Sequence, residues 1–228
     1  MPKTVYIPQL SRYSNSFPDP RNADQGGLVA WGGDLGRDRV LNAYTKGIFP
    51  WYNENDPLLW WSVDPRLVLF PKELKISKSL RRSQKKFDIK FDTNFQEVME
   101  NCKTIRENSG EGTWINQELQ DVFQALHVEG FAHSVESYYE GELVGGLYGL
   151  YLGGMFCGES MFSLISDASK VALVALCQKV LENGGDFIDC QIPTEHLKSM
   201  GAVEMKREEF LDLVEKSLQC KSKIEMWR

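Results

Sequence analysis

Asp189, Gln191 and Glu159 stand where burial alone would not put polar side chains. The run Phe187-Ile188-Asp189-Cys190-Gln191-Ile192 reads as a strand that Pro193 ends. A period of two sets Ile188, Cys190 and Ile192 on one face and Phe187, Asp189 and Gln191 on the other. A carboxylate and an amide two residues apart lie about 7 Å apart along a strand, close enough to act on one small group. As purely structural groups they would need donors from neighbouring loops. Glu159 is a second acid in an apolar run, with Met155-Phe156-Cys157-Gly158 before it and Ser160-Met161-Phe162 after it. A carboxylate there is costly unless it is paired or faces a pocket. Two such acids near each other suit a cationic ligand, a guanidinium or an ammonium.

Aromatic and basic residues offer a second chemistry. Trp51 follows Pro50, and Trp114 sits in Gly112-Thr113-Trp114, both loop-like settings. Trp51, Trp60, Trp61 and Trp114 all read as core or inter-domain packing, the better reading for most tryptophans, but exposed indoles in loops are stacking platforms for a nucleobase. Net charge is −6 at pH 7, which by itself argues against a nucleic-acid partner. That average hides the segment Lys72 to Lys90, where eight basic residues face two acids, so it carries +6 and the remainder −12. Lys78, Arg81, Arg82, Lys85 and Lys86 fall at i, i+3, i+4, i+7 and i+8, one face of a helix. Like charges stacked in this way repel by a few tenths of a kcal/mol per pair unless a polyanion relieves them. The stripe is either a solvated helix face or a phosphate-backbone contact.

The elements that must position these groups divide the 228 residues into two parts. Residues 1–65 are rich in Gly, Pro and Trp, with one clear helix at about 37–46. From 66 to 228 the pattern is regular. Strand-like runs fall at 67–70, 87–92, 132–139, 142–151, 154–162, 186–192 and 202–206. Helical runs fall at 77–86, 94–103, 116–129, 167–183, 194–200 and 207–218. Asn116 and Asp167 are placed to cap two of those helices, and Gly130 and Gly184-Gly185 to end them. Three consecutive strands, then helix, strand, helix, predict an α+β domain on a largely antiparallel sheet, with a small aromatic-rich N-terminal domain leaning on it.

Several chemistries lack their signatures. There is no GxxxxGK[ST], no strand-to-helix GxGxxG, no HExxH around His127, His133 or His196, and no CxxC among the cysteines. The expectation is no metal and no nucleotide or redox cofactor, so that any group transferred arrives already activated. Gly158-Glu159-Ser160-Met161-Phe162 begins like an esterase elbow but ends in Phe and lies in a strand. The five cysteines sit mostly in apolar runs and read as reduced core thiols. No run approaches the about 18 apolar residues of a membrane span, and the opening residues lack the plan of a secretory signal, which points to the cytoplasm.

The motifs in their order resemble the bacterial leucyl/phenylalanyl-tRNA–protein transferase family along nearly the whole chain. They are GGDL (32–35), GIFPW (47–51), WWSVDPR (60–66), EGTWI (111–115), HSVE (133–136), ELVGGLYG (142–149), FCGESMF (156–162), SDASK (166–170) and IDCQ (188–191), followed by His196 and Ser199-Met200-Gly201-Ala202. One departure is Val63, where the family usually has Pro, and it touches a loop.

The resemblance implies a C-terminal domain of GNAT-like N-acyltransferase fold behind the small N-terminal domain. It also implies transfer of Leu, Phe or less readily Met from aminoacyl-tRNA to the α-amine of proteins beginning with Arg or Lys, the mark of a bacterial N-degron route. By the same resemblance Asp189 and Gln191 are the reacting pair, and Glu159 with Asp189 holds the acceptor. Leu147, Phe156, Leu173, Leu176 and Ile188 line the pocket for the transferred side chain, Trp51 and Trp114 flank the terminal adenosine, and the stripe Lys78 to Lys86 meets the tRNA backbone. Asp189 is then expected to fix the direction of the Gln191 amide, in a monomeric enzyme without cofactor. A CoA-dependent N-acetyltransferase shares the fold class, but its [QR]xxGx[GA] loop is not matched by Arg106-Glu107-Asn108-Ser109-Gly110-Glu111-Gly112, which has one residue too many. A non-catalytic RNA-binding module would explain the stripe and the tryptophans but gives no reason for Asp189, Gln191 and Glu159.

Overall fold

The computed structural model describes residues 6–53, 56–110, 113–220 and 227. The Gly, Pro and Trp-rich beginning forms a four-stranded sheet of β1 (Gln9–Leu10), β2 (Leu28–Gly32), β3 (Phe49–Pro50) and β4 (Leu59–Trp61), in the order β1-β2-β4-β3. Helix α1 (Arg37–Tyr44) joins β2 to β3. Trp60 anchors this sheet: it is wholly buried, donates its indole N–H to the Gly32 carbonyl at 3.0 Å and meets Phe17 edge-on. Gly27, at φ +91°, has to be glycine because a Cβ there would sit 2.6 Å from the Ser62 carbonyl oxygen. The expected helix is present as α1, whereas strands of two to five residues are too short to show a period in the sequence.

The larger sheet has seven strands: β5 (Arg66–Leu69), β6 (Asp88–Phe91), β7 (Ala132–Tyr139), β8 (Glu142–Leu152), β9 (Met155–Ser163), β10 (Phe187–Gln191) and β11 (Val203–Met205). Their order is β11-β5-β10-β9-β8-β7-β6, antiparallel throughout except for the parallel pair β9 and β10. This mixed α/β architecture is the one expected. The helices are α2 (Lys78–Ser83), α3 (Phe95–Ser109), α4 (Gln117–Val128), α5 (Ala168–Glu182), α6 (Glu195–Ser199) and α7 (Arg207–Ser217).

β8 is buried on both faces along nearly its whole length, so a layer must cover each side. On one side Leu147, Phe156 and Ile188 pack with Val171, Leu173 and Leu176 of α5. On the other side Tyr148 and Phe162 pack with Val98 of α3, Phe123 of α4 and Phe210 of α7. Val40, Tyr44 and Trp60 belong to that second cluster, so the N-terminal segment shares its core with the larger sheet.

Local expectations differ from the structure in three places. The run 77–86 is not one helix, because α2 stops at Ser83 and a 3-10 turn covers Gln84–Lys86. The run 94–103 continues to Ser109: Ile105 extends the buried face of Val98, Met99 and Cys102, and Gly110 ends the helix in the left-handed conformation. Asn116 caps α4 by accepting from the Leu119 N–H at 2.9 Å, but Asp167 makes no such bond to α5 and instead meets Lys170 at 3.4 Å.

Candidate active site

β9 and β10 pair from Met155↔Phe187 to Cys157↔Asp189 and then part, and a cavity of about 510 Å³ occupies the gap. Its lining includes Glu159, Asp189 and Gln191, the apolar Leu147, Phe156, Leu173, Leu176 and Ile188, and the indoles Trp51 and Trp114. Residues from both sheets and from α5 are therefore brought to one place. The alternation predicted for Phe187 to Ile192 does not survive here. Gln191 sits at φ 60° after a bulge that breaks the register between Asp189 and Gln191, and all of Ile188 to Ile192 line the cavity.

Glu159 is the hub of the polar side. Its Oε1 accepts from the Tyr44 hydroxyl at 2.6 Å and from Gln191 Nε2 at 2.9 Å. Burial raises its carboxyl to about 7, against the lowering pull of those two hydrogen bonds. Tyr44 is buried, and desolvation together with the neighbouring Glu159 pushes its hydroxyl well above the usual tyrosine value, so it remains a donor. Tyr44→Phe should thus cost about 1.5–3 kcal/mol of stability at pH 8, where Glu159 is ionised, and less at pH 5. Chemical denaturation at the two pH values measures the difference, and equal losses would contradict this account.

Asp189 is held differently from the expectation. Both of its oxygens accept from Arg66, Nε at 2.8 Å and Nη2 at 2.7 Å, and Oδ1 also accepts the Gln191 backbone N–H at 2.9 Å. It does not hydrogen-bond the Gln191 side-chain amide. That amide is directed by Glu159, because the bulge turns it toward β9 and away from its own strand.

The two indoles expected to flank the terminal adenosine both reach this cavity. Trp51 and Trp114 meet edge to face, with centroids 6.3 Å apart at 89°, which makes a corner rather than a slot. The guanidinium of Arg106, on α3, lies over Trp114 at 4.0 Å, and its Nε donates to Ser160 Oγ at 3.1 Å. Glu111 and Gly112 of the EGTWI motif lie outside the described residues. Ser160 is thus bonded to a guanidinium, which cannot take its proton as an esterase base must. Cys190 lines the cavity too, but burial pushes its thiol up, away from the nucleophilic thiolate.

Arg66, Tyr44 and Arg106 do not stand out in the sequence as site residues. The only signal for Arg66 is its place in WWSVDPR, and Arg106 lies three residues beyond the end predicted for its helix.

The residues of the basic stripe do not line this cavity. Lys78, Arg81, Arg82, Lys85 and Lys86 are exposed, and among the described residues none of them is in an ion pair. Beneath them Leu80 is buried, and Ser77 caps α2 by accepting the Leu80 N–H at 3.1 Å. Arg81 shares a second groove of about 620 Å³ with Lys75 and Lys170. The short helix α6 separates the two hollows: His196 and Leu197 face the first, Ser199 and Met200 the second. Burial, and then the Lys170 charge, hold His196 below its usual value.

Comparison with known proteins decides the family. Residues 68–215 match the model described as leucyl/phenylalanyl-tRNA protein transferase, and residues 33–64 match the model of its N-terminal domain. A leucyl/phenylalanyl-tRNA–protein transferase of Sulfurimonas denitrificans is 53% identical over 92% of this chain and 92% of its own. One from Nitrosospira multiformis is 49% identical over 97% and 96%. This chain belongs to that family. Its members are named as aminoacyltransferases, and the cavity between β9 and β10 is the candidate site for that chemistry. Among solved structures, L-PGS from Bacillus licheniformis aligns at a TM-score of 0.43 and 14% identity, over 68% of this chain and 64% of that one. A GCN5-related N-acetyltransferase-like protein from Streptococcus suis aligns at 0.33 and 14%, over 74% and 64%. Among the described residues no helix is long and apolar enough to cross a membrane, and no cluster of His, Cys, Asp and Glu could hold a metal ion.

Proposed function

We propose that this protein, on a GNAT-like acyltransferase scaffold, moves Leu, Phe and less readily Met from aminoacyl-tRNA to the α-amine of proteins that begin with Arg or Lys. The new N-terminus then marks its bearer for degradation by an N-degron route. The observation that carries the reading is the cavity itself: an apolar half made by Leu147, Phe156, Leu173, Leu176 and Ile188 adjoins a polar half made by Glu159 and Gln191. The first suits the transferred side chain and the second the amine that attacks it. An apolar pocket discriminates one methylene by only about 1–3 kcal/mol, so Met leaks through beside Leu and Phe.

The ester of aminoacyl-tRNA is already activated, so the protein's task is to position the reactants and relieve charge in a tetrahedral transition state. The attacking amine must be neutral. Gln191 is far too weakly basic to take a proton outright. Its Nε2 donates to Glu159, which leaves Oε1 to accept a hydrogen bond from the amine and aim the nitrogen lone pair. Glu159, when ionised, favours the cationic Arg or Lys side chain beside it. The Trp51–Trp114 corner, with Arg106 on Trp114, supplies aromatic surface for a terminal adenosine.

The unneutralised stripe and the groove holding Lys75, Arg81 and Lys170 fit the phosphate backbone behind that adenosine. Replacing Arg81, Arg82, Lys85 and Lys86 together by Ala should weaken every tRNA about equally. It should also lower the slope of log K against log salt by up to about 0.9 for each phosphate the protein then fails to neutralise. A wild-type slope near zero would take the stripe out of the interface.

Label transfer tests the whole reading. Pure protein, radiolabelled Leu-tRNA and a model protein beginning with Arg are mixed without ATP or CoA, beside an identical acceptor beginning with Ala. Label moving onto the Arg acceptor alone supports both substrates. Binding of tRNA without transfer would favour a non-catalytic RNA-binding protein.

A further inference from the structure

We propose that Arg66 is a positioning residue for the transfer step, acting through Asp189 on Gln191, and that Glu159, rather than the Arg66-paired Asp189, is the acid that pairs with the acceptor. The inference rests on the reading of Gln191 as the group that meets the attacking amine. Arg66 opens β5 and is fully buried, as is Asp189. Its fork closes on both Asp189 oxygens at 2.8 and 2.7 Å. The guanidinium carbon lies over the rings of Phe49, 4.7 Å away, and Phe210, 4.5 Å away. Phe49 belongs to the small sheet and Phe210 to α7, so three distant parts of the chain fix this one cation.

What the pair fixes in turn is the backbone of Gln191. Asp189 Oδ1 accepts the Gln191 N–H at 2.9 Å, and Gln191 stands at φ 60°, a left-handed conformation that a glutamine rarely adopts unless it is held. From that conformation the side chain reaches across the parted strands to Glu159. The contacts therefore run from Arg66 to Asp189, from Asp189 to the Gln191 backbone, and from there to the amide in the cavity.

Stability does not account for the pair. A buried ion pair is often replaceable by well-packed apolar residues at no net loss, and here Arg66 Nη1 is buried with no acceptor among the described residues, which adds a further cost. Charge accounting gives the second half of the proposal. The Asp189 anion is compensated at hydrogen-bond distance by Arg66, whereas Glu159 has only neutral partners, Tyr44 and Gln191. Of the two acids lining the cavity, Glu159 is thus the one left without a cationic hydrogen-bond partner among the described residues, and the one an incoming Arg or Lys side chain can neutralise.

The test is steady-state transfer of Leu from saturating Leu-tRNA to acceptors beginning with Arg or Ala, for the wild type, Arg66→Lys, and the double variant Arg66→Met with Asp189→Leu. The double variant removes both charges at once and leaves neither buried and unpaired. Thermal melting confirms that each variant is folded. For the double variant kcat should fall by about a hundredfold, the loss expected when a reacting group is misplaced by about 1 Å. Its KM for the Arg acceptor should stay within about twofold of wild type, and its preference for Arg over Ala should persist.

Arg66→Lys keeps the charge but loses the fork, so its kcat should fall less, with KM again unchanged. A raised KM and a lost preference with kcat retained would make Asp189 an acceptor-binding acid and overturn the proposal. An unchanged kcat in a folded double variant would reduce the pair to packing and overturn it as well. Should the double variant fail to fold, Arg66→Lys decides alone by the same split between kcat and KM. A wild type that transfers no label, or a Gln191→Ala variant with full kcat, would instead remove the reading on which the inference stands, and the inference with it.

Discussion

Gln191→Ala should lower kcat for aminoacyl transfer by about a hundredfold and leave the Kd for tRNA unchanged. The amide touches neither the exposed stripe nor the indole corner, so nothing that holds the tRNA goes with it. What disappears is an acceptor whose direction is fixed twice over: by the Asp189-held backbone and by the Glu159-held Nε2. Gln191→Glu is the informative companion. It would place a second carboxylate against Glu159, which can be accommodated only if the two share a proton, and its activity should therefore depend on pH where the wild-type amide does not titrate. Single-turnover rates separate the chemical step from binding. A Gln191→Ala rate equal to wild type would take this amide out of the mechanism.

Why Gln191 can be found in the sequence, while the groups that hold it cannot, follows from what each signal requires. Asp189, Gln191 and Glu159 are polar side chains in apolar runs, and burial makes such residues conspicuous without any tertiary knowledge. The helices and the long strands β7, β8 and β9 of residues 66–228 show their periods, and most elements there are legible within a residue or two. The bulge at Gln191 is not, because it depends on a hydrogen bond to Asp189 and on Arg66, which lies 123 residues before Asp189 in the chain. Period two therefore puts Ile188 and Gln191 on opposite faces, and the structure gives both of them to the cavity. Tyr44 reads as one more apolar position on a short helix, although its hydroxyl ends 2.6 Å from a carboxylate 115 residues later. Arg106 needs the extra turns of α3 beyond residue 103 to reach Trp114. Residues proposed to act on a substrate carry a chemical oddity in the sequence. Residues that only hold them are ordinary there and become visible through contact.

The second large effect is in pH. Desolvation keeps the Glu159 carboxyl near 7 in the free protein, so acidification below neutrality removes the anion proposed to meet a cationic acceptor. The acceptor's own α-amine, with an ordinary value of about 7.7–8.0, must also lose its proton before it can attack. Two deprotonations in series predict that log kcat/KM for an Arg acceptor rises with a slope of about two below pH 7 and about one just above it. In Glu159→Gln only the amine remains to titrate. The slope should then be about one throughout, and the preference for Arg over Ala should shrink by about ten- to a hundredfold. A slope of two that persists in Glu159→Gln would place the second proton elsewhere.

Stability must follow the same group with the opposite sign. A carboxyl raised from 4.5 to about 7 on folding contributes stability that is fully present below 4.5 and is lost as pH rises through 7. The loss is about 3 kcal/mol when Glu159 is fully ionised. An acceptor cation bound beside the ionised carboxylate offsets it. A peptide beginning with Arg should therefore raise the melting temperature more at pH 8 than at pH 5, a peptide beginning with Ala should not, and Glu159→Gln should abolish the difference. The cost of burying this acid and the selection of a cationic acceptor are thus one electrostatic term, measured once without ligand and once with it.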